Sequence, residues 1–329
     1  MLKLSAKIEI KGEKTWVFEK ITACEIVRDS DALTTTCKLT LPRKMKWKSV
    51  TGSAALHGKE PSNPIKRGDK ISVWLGYDDN LQLAFSGYVL RKGFKAPIEI
   101  FCEDEMFMLK QKPCVKKSYK NVDIQTLLKD QNLPYDIKVL GEQNIGQYRA
   151  NFETVAELLA HLKENSIRTF FRIEDGKPVL YCGVLFDHGK EMRQVFATGV
   201  NIISDSSLDE QRAEDMKIKL KVVSLQPDNK KKIKVEVGDA DVEKRTLHCY
   251  GKTEAEAKAW GEQELERLKR DGLTGSFQTF GHVLLDVLDI VGIKIDGERK
   301  GKYQVHKNII TFGSSGFRQD ITLGAMAAE

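Results

Sequence analysis

The stretch RGDKISVWLGYDDNLQLAFSGYV, from Arg67 to Val89, decides the fold of the N-terminal part of the chain. From Ile71 onward, apolar side chains alternate with small or polar ones, which is the two-residue period of a β-strand with one buried face. The turn formers GYDDN at 76–80 interrupt this alternation, and a second alternating run begins at Leu81. The stretch therefore predicts a strand, a turn and a second strand.

The tripeptide Arg67-Gly68-Asp69 at the start of this stretch is known as a cell-adhesion signal. An adhesive tripeptide belongs at an exposed loop tip, whereas this one leads directly into the alternation that begins at Lys70. We therefore interpret Gly68 and Asp69 as the polar corner that starts a strand, and we predict that they have no adhesive role.

The chain has 329 residues, of which 41% are hydrophobic and 30% are charged, as in soluble globular proteins with two or three domains. No apolar run approaches the ~20 residues of a membrane helix. The N-terminus alternates from Met1 to Trp16 without an apolar signal core, so we interpret it as a first strand. These features predict a protein that is made and kept in the cytosol, without membrane insertion.

The net charge of +6 is a mild excess, because 53 basic residues face 47 acidic ones. Proteins that bind nucleic acid through many phosphate contacts usually have a larger excess of basic over acidic residues. The basic runs at 116–120 and 230–232 are typical of solvated turns. We therefore predict no specific nucleic-acid binding, and a nucleic-acid module remains an alternative that would show binding that weakens steeply with salt.

Six cysteines occur without any CxxC pair, and most lie in strand-like runs. This distribution predicts buried free thiols in a reducing compartment, with a zinc site or disulfides as the alternative.

The chain divides into three predicted parts. Residues 1–110 contain about six short strand-like runs and predict a first antiparallel β-barrel with a long loop at 42–66. Residues 111–185 predict a small α+β domain, because the capping box at Thr154–Glu157 opens a helix and Asp175-Gly176 joins two strands. Residues 186–329 predict a second β-barrel with a helix-containing insertion at about 226–271.

A weak internal repeat supports two barrels of one type. Asp69 to Val89 is a strand, a glycine turn and a strand, and Asp289 to Val305 repeats this order. The predicted fold class is therefore mainly β (α+β), with two related antiparallel β-barrels, an inserted α+β domain and a helical insertion.

Catalytic motifs are absent from the sequence. The six histidines include no metal-binding pair at helical spacing, and the chain has no GxSxG, Walker or GxGxxG motif. Glu103-Asp104-Glu105 is the candidate for an acid–base pair or a metal site, although acidic residues at the end of a strand are the more ordinary reading. We predict no catalytic, cofactor-binding or metal-binding residues, no cofactor and no enzyme activity.

Several motifs taken in order resemble a known family. They are the GDxxxxxxGYxxxxxxxFSGYV pattern at 68–89, the acid-ended strand at 98–105, the helix and hairpin at 154–182, and GKYQVHKNIITFGSSGFRQDITLG at 301–324. Together they are similar to the phage late control protein D family of baseplate hubs and to the hub portion of the type VI secretion spike protein (valine-glycine repeat protein G).

This resemblance implies a structural hub of a contractile phage tail or phage-tail-like particle. It implies a homotrimer that adapts the symmetry of a tail tube to that of a spike, with a tube protein, a separate spike protein and other baseplate proteins as partners. The implied location is the tail baseplate of a virion or phage-like particle that assembles in the bacterial cytoplasm. The alternative is a tail component that binds peptidoglycan or carbohydrate and has hydrolase activity.

Two tryptophans are candidates for contacts with other subunits. Trp74 occupies the less apolar face of its predicted strand, and Trp47 lies in the long loop. Packing of Trp74 inside its own barrel or against the inserted domain is the alternative.

Overall fold

The computed structural model describes residues 3–42, 48–49, 65–93, 97–140, 144–164, 167–183, 192–226, 232–240, 242 and 244–327. The fold is mainly β, as predicted. Its first β unit contains the strands Leu4–Lys11 (β1), Thr15–Phe18 (β2), Ala23–Asp29 (β3), Thr36–Leu41 (β4), Lys48–Ser49 (β5), Lys70–Tyr77 (β6), Asn80–Lys92 (β7) and Ile98–Glu103 (β8).

The hairpin predicted at 67–89 is confirmed as β6 and β7, which pair antiparallel. On β6, Ile71, Val73 and Leu75 are completely buried, because the two-residue period places them all on the core face. The turn residues Asp78 and Asp79 have φ angles of 48° and 64°, the left-handed conformation that a two-residue hairpin turn requires.

A middle unit follows the first β unit and mixes helices with strands, as predicted. It contains Met106–Leu109 (α1), Lys117–Asp123 (β9), Ile124–Lys129 (α2), Asp136–Leu140 (β10), Asn144–Ala150 (β11), Val155–Glu164 (α3), Arg168–Glu174 (β12) and Lys177–Gly183 (β13). The Thr154 hydroxyl accepts from the Glu157 amide at 3.3 Å at the start of α3. Asp175 and Gly176 have φ angles of 47° and 75° in the turn of the β12–β13 hairpin.

The rest of the chain forms a second β unit and an insert. Its elements are Met192–Ala197 (β14), Ile202–Gln211 (β15), Lys219–Leu225 (β16), Lys232–Gly238 (β17), Lys244–Tyr250 (β18), Glu254–Leu268 (α4), Gly272–Phe280 (β19), Ile290–Ile295 (β20), Glu298–Gly313 (β21) and Gly316–Met326 (β22).

The insert begins earlier than the start near 226 that we predicted. Its three-stranded sheet has the order β17-β16-β18, so β16 belongs to the insert and not to the second β unit. Alternation identifies β16 as a strand, but it does not show which strands lie beside it.

One continuous sheet joins the two β units. Its 14 strands include the path β15-β19-β22-β21-β3-β4-β8-β7-β6-β1-β2-β5, and β20 and β14 extend it from β21. The long strand β21 makes this connection, because its C-terminal part pairs antiparallel with β3. Tyr303 and Val305 of β21 belong to the core of the second unit, while Ile310 and Phe312 belong to the core of the first.

The two β units repeat one strand order, which explains the internal repeat in the sequence. The first unit has the order β3-β4-β8-β7-β6-β1, and the second has β15-β19-β22-β21-β20-β14. Corresponding strands also follow one another in the same order along the chain, with the insert placed between β15 and β19. One difference is that β1 pairs antiparallel with β6, whereas β14 pairs parallel with β20.

The RGD tripeptide lies in a turn at the start of β6. The Gly68 amide donates to the Val89 carbonyl at 2.8 Å, and the Val89 amide donates to the Asp69 carbonyl at 3.0 Å. The Asp69 carboxylate accepts from the Lys66 amide at 2.8 Å, and Gly68 has a φ of 88°. These bonds fix the chain direction into β6, as the polar-corner interpretation expects.

The second β unit contains the same turn. The Leu288 amide donates to the Val305 carbonyl and the Val305 amide donates to the Asp289 carbonyl, both at 2.9 Å. The Asp289 carboxylate accepts from the Asp286 amide at 2.8 Å, and Leu288 has a φ of 68°. Four corresponding positions therefore make the same bonds, so Val89 and Val305 occupy equivalent places.

A bulge in the long hairpin strand is repeated as well. The pairing of β6 with β7 skips Ala84, since Phe85 faces Val73 while Leu83 faces Trp74. The pairing of β20 with β21 skips Lys300 in the same way. A bulge frees the backbone of the skipped residue from the ladder.

Candidate interaction surfaces

The junction between the two β units contains a buried arginine. Arg28 lies on β3 in the buried phase that Cys24 and Ile26 also occupy. Its guanidinium donates to the Leu285 carbonyl at 2.6 Å and to the carbonyl of the bulged Ala84 at 2.7 Å. Asp286 lies 3.8 Å away and supplies a counter-charge. The arginine thus ties the first unit to the segment that precedes β20.

Two buried amides extend this junction. The Asn308 side chain donates to the Leu285 carbonyl and to the Gln319 side chain, both at 2.8 Å. Gln319 in turn donates to the carbonyls of Phe280 and Val283 and accepts from the Leu285 amide. Both amide side chains are completely buried. The signal for these residues in the sequence is a polar side chain in the buried phase of a strand.

An ion-pair cluster joins all three parts of the fold. The Asp31 carboxylate, which follows β3, contacts Arg168 of the middle unit at 2.7 Å and His306 of β21 at 3.2 Å. Nearby, Asp29 contacts Lys307 at 3.3 Å. Asp29, Asp31 and His306 are close enough together to hold a metal ion. Because each carboxylate already has a basic partner, we interpret the cluster as a joint between units.

The acidic triplet 103–105 is used inside the fold. Asp104 accepts from the amides of Thr35 at 2.8 Å and Met106 at 3.0 Å, and burial raises the pKa of its carboxyl to about 7. Glu105 is 2% exposed and contacts Lys70 and the Tyr135 hydroxyl. The triplet therefore fastens the first unit to the middle unit and offers no carboxylate pair facing an open cleft.

The six cysteines are all free and buried, which confirms the predicted thiols. Burial raises the pKa of Cys37, Cys102 and Cys182 well above the ordinary thiol value. A thiol that resists ionisation is a poor nucleophile and a poor metal ligand.

The two candidate tryptophans differ in what the structure describes. Trp74 is half-buried on the face of β6 that points away from the core, where the Lys7 ammonium lies 5.0 Å from its ring. Trp47 lies outside the described residues. The arrangement shows that Trp74 does not pack inside its own unit, and its place in a subunit contact stays a prediction.

Strand β15 forms one end of the sheet and is the most exposed long strand of the second unit. Seven of its ten residues are exposed, including the run 203–207. Apart from an isolated bridge between Thr198 and Ile202, it pairs only with β19 among the described strands. Exposed apolar side chains lie at its start and on the neighbouring strand, namely Val200, Ile203 and Phe280. A free strand edge of this kind can add a strand from another chain.

A cavity of about 1240 Å³ opens at one end of the second unit. Apolar side chains such as Met192 and Met326 line it together with basic ones such as Lys294 and Arg299. Glycines make part of this space, since a Cβ at Gly292 would lie only 2.7 Å from the Met192 sulfur. Three acidic residues, Glu210, Glu214 and Asp271, also line the cavity.

Comparison with solved structures identifies the fold. A tail protein from Neisseria meningitidis MC58 matches over 98% of this chain and 96% of its own length, with 13% identity and a TM-score of 0.65. The chain has the fold of phage tail proteins. The 43 kDa tail protein of prophage MuSo2 from Shewanella oneidensis matches over 98% of both chains, with 17% identity and a TM-score of 0.57.

The same fold occurs in a secretion system. A component of the E. coli type VI secretion system, described as structurally similar to bacteriophage T4 tail proteins, matches over 97% of this chain and 77% of its own, with 9% identity and a TM-score of 0.55. No protein-family model and no curated protein sequence matches the chain. Within the part of the chain that the structure describes, no helix has the length and apolar character needed to cross a membrane.

Proposed function

We propose that this chain is a structural baseplate hub of a contractile phage tail or phage-tail-like particle. The observation that carries the proposal is the pair of β units with one strand order, joined side by side in one sheet. The fold shared with tail proteins over nearly the whole chain supports the same reading.

We further propose that the chain acts as a homotrimer. Three copies with two related β units each supply six similar units in a ring, while the whole assembly keeps threefold symmetry. Such a ring suits a sixfold tube on one side and a threefold spike on the other. The proposed parts of each copy are 1–110, 111–185 and 186–329, with the insert beginning at Lys219.

The partners in this proposal are a tail tube protein, a separate spike protein and other baseplate proteins. The place of action is the tail baseplate of a virion or phage-like particle, after assembly in the bacterial cytoplasm. We keep Trp74 and Trp47 as proposed contact residues. A buried aromatic anchor in an interface is worth about 2 kcal/mol or more when it is a hot spot, so Trp74→Ala should weaken the trimer if this assignment holds.

The experiment is a measurement of mass in solution by light scattering across a range of concentrations. We expect three times the chain mass of 37.2 kDa, either alone or together with the tube and spike proteins that we expect neighbouring genes to encode. Electron microscopy of the same sample should show a ring. A chain that stays monomeric even with those neighbours would contradict the hub function.

A second measurement tests the absence of catalysis. Because Asp104 and Glu105 are buried and bonded within the fold, we expect no clearing of peptidoglycan in a zymogram. Clearing that is lost in Asp104→Asn would support the hydrolase alternative.

A further inference from the structure

We propose that strand β15 of one copy pairs antiparallel with the end of strand β7 of the next copy. The contact would repeat, between chains, the pairing of β3 with β21 that joins the two units within one chain. This inference rests on the proposed trimer, and it names the strands and the register that hold the trimer together.

The first step is that β15 corresponds to β3. Each strand lies beside the equivalent neighbour, β19 or β4, in the repeated order. In the first unit, the outer edge of β3 is occupied by β21 of the same chain. In the second unit, the described strands leave the corresponding edge of β15 exposed beyond its bridge to Thr198.

The second step is that β7 corresponds to β21. One edge of β21 pairs with β22, and the other pairs first with β20 and then with β3. One edge of β7 pairs with β8, and on the other edge the ladder with β6 ends at Tyr88 while β7 continues to Lys92. The position that β3 takes on β21 therefore has a counterpart on β7 beyond Tyr88.

The third step gives the register on β7. Because Val89 and Val305 make the same turn bonds, Arg91 corresponds to Lys307 and Lys92 corresponds to Asn308. A side-chain bond supports this alignment. Asn308 donates to the carbonyl of Leu285, and Lys92 donates at 2.6 Å to the carbonyl of Ile65, the equivalent residue before the repeated turn.

The fourth step gives the register on β15. Counting across the paired strands from Arg91 and Lys307 places Glu25 of β3 in the position of Ser207. The next residues, Ile26 and Leu208, are then equivalent, and both side chains pack against the core of their own unit. Arg28 then corresponds to Glu210. This match has independent support, because Arg28 bonds to the bulged residue Ala84 while Glu210 contacts the equivalent bulged residue Lys300 at 3.1 Å.

The two registers together define the contact. Within one chain, Lys307 faces Asp29 and Asn308 faces Arg28. The equivalent pairs between chains are Arg91 facing Gln211, and Lys92 facing Glu210. Asp209 lies next along β15, and Glu210 is 69% exposed in the single chain despite its contact with Lys300. The expected contact therefore brings two acidic residues beside two basic ones.

The same charges argue against another arrangement. Two copies of β15 paired antiparallel around their middle would bring Asp205 of one copy opposite Asp209 of the other, and like charges directly opposite destabilise a strand pair. A contact between different strands is head-to-tail, and three such contacts can close a ring. The continuous sheet of each chain would then continue into the next.

The test is disulfide cross-linking of Arg91→Cys combined with Gln211→Cys. Residues opposite one another on antiparallel strands have Cα atoms about 4.5–5.5 Å apart, within the range of a disulfide. The matched control is Asp29→Cys combined with Lys307→Cys. These two residues face each other within one chain and occupy the positions equivalent to Gln211 and Arg91. The six native cysteines are buried, so they contribute little background.

We expect oxidised Arg91→Cys/Gln211→Cys to run as a covalent trimer on a non-reducing gel, with neither single variant doing so. The control should form its disulfide without joining chains, as measured by loss of free thiols. A trimer by light scattering that gives no cross-link would overturn this inference and leave the hub proposal standing. A covalent dimer from Gln211→Cys alone would also overturn it, since it would show β15 beside β15. A monomer by light scattering with no cross-link, both alone and with the tube and spike proteins present, would overturn both proposals.

A charge reversal supplies a second readout. We expect Glu210→Lys to raise the concentration at which the trimer half-dissociates by about tenfold or more, because it places like charges at the contact. Glu214→Lys is the control, since Glu214 is exposed nearby and lies after the end of β15. Equal effects of the two substitutions would contradict the proposed register.

Discussion

Replacing Arg28 by methionine tests how the two β units are held together. Methionine keeps much of the buried aliphatic stem but removes both guanidinium hydrogen bonds. The Leu285 carbonyl keeps its bond from Asn308, whereas the Ala84 carbonyl, which the bulge has released from the ladder, loses its bond from the guanidinium. The change therefore separates the role of the charge from the role of the packing.

The expected magnitude comes from these two bonds. A hydrogen bond from a charged group contributes about 1.5–3 kcal/mol, and part of the loss is offset because the buried charge is also removed. We expect Arg28→Met to lower the free energy of unfolding by about 3 kcal/mol. The free energy of unfolding of Arg28→Lys should lie between those of wild type and Arg28→Met, because one ammonium group cannot reproduce the two-armed geometry of the guanidinium.

The assay is urea unfolding followed by tryptophan fluorescence, with Arg318→Met as the control. Arg318 is half-buried and lies 4.8 Å from the ring of Phe280, so its loss should cost under about 1 kcal/mol. If Arg28→Met and Arg318→Met destabilise the protein equally, the buried arginine does not hold the junction, and the reasoning is refuted.

Three further outcomes are expected. Burial raises the pKa of Asp104 from 3.8 to about 7, so the folded state binds the carboxyl proton more tightly than the unfolded state does. Wild type should therefore lose stability relative to Asp104→Asn as the pH rises from about 4 to about 7. Thermal midpoints of the two proteins that run parallel over this pH range would contradict the prediction. Gly68→Ala should cost about 1–2 kcal/mol in urea unfolding, because its φ of 88° strains a residue with a Cβ although no atom blocks the space; a neutral effect would show that the turn can adapt. Thr253→Ala should cost about 1 kcal/mol by removing the capping box of α4, measured by circular dichroism during thermal unfolding, and Thr253→Ser should restore most of it.

Local features of the fold were accessible from the sequence. The hairpin of β6 and β7, the turn at Asp175-Gly176 and the cap at Thr154 follow from the two-residue period, from turn formers and from residues that bond their own backbone. These signals operate over a few residues, so the sequence reports them directly. The buried thiols followed from cysteines in strand-like runs.

The repeat of the two β units was only partly accessible. The sequence indicated one shared hairpin, while the common order of all the strands, the shared turn and the shared bulge required the structure. Geometry repeats here without the residues repeating, because Gly68 and Leu288 hold the same backbone position with different side chains. A comparison of amino-acid sequences cannot detect a hydrogen bond that is made by backbone atoms.

What the sequence by itself determined about this protein is its local structure: which segments are strands or helices, where they turn and which face of each is buried. What only the tertiary structure decided is which strands lie side by side. The assignment of β16 to the insert and the pairing of β21 with β3 are choices between partners far apart in the chain. An alternating pattern specifies that a strand needs a neighbour and a buried face, but every strand offers the same backbone groups, so the choice depends on how whole cores and buried polar groups such as Arg28 fit together.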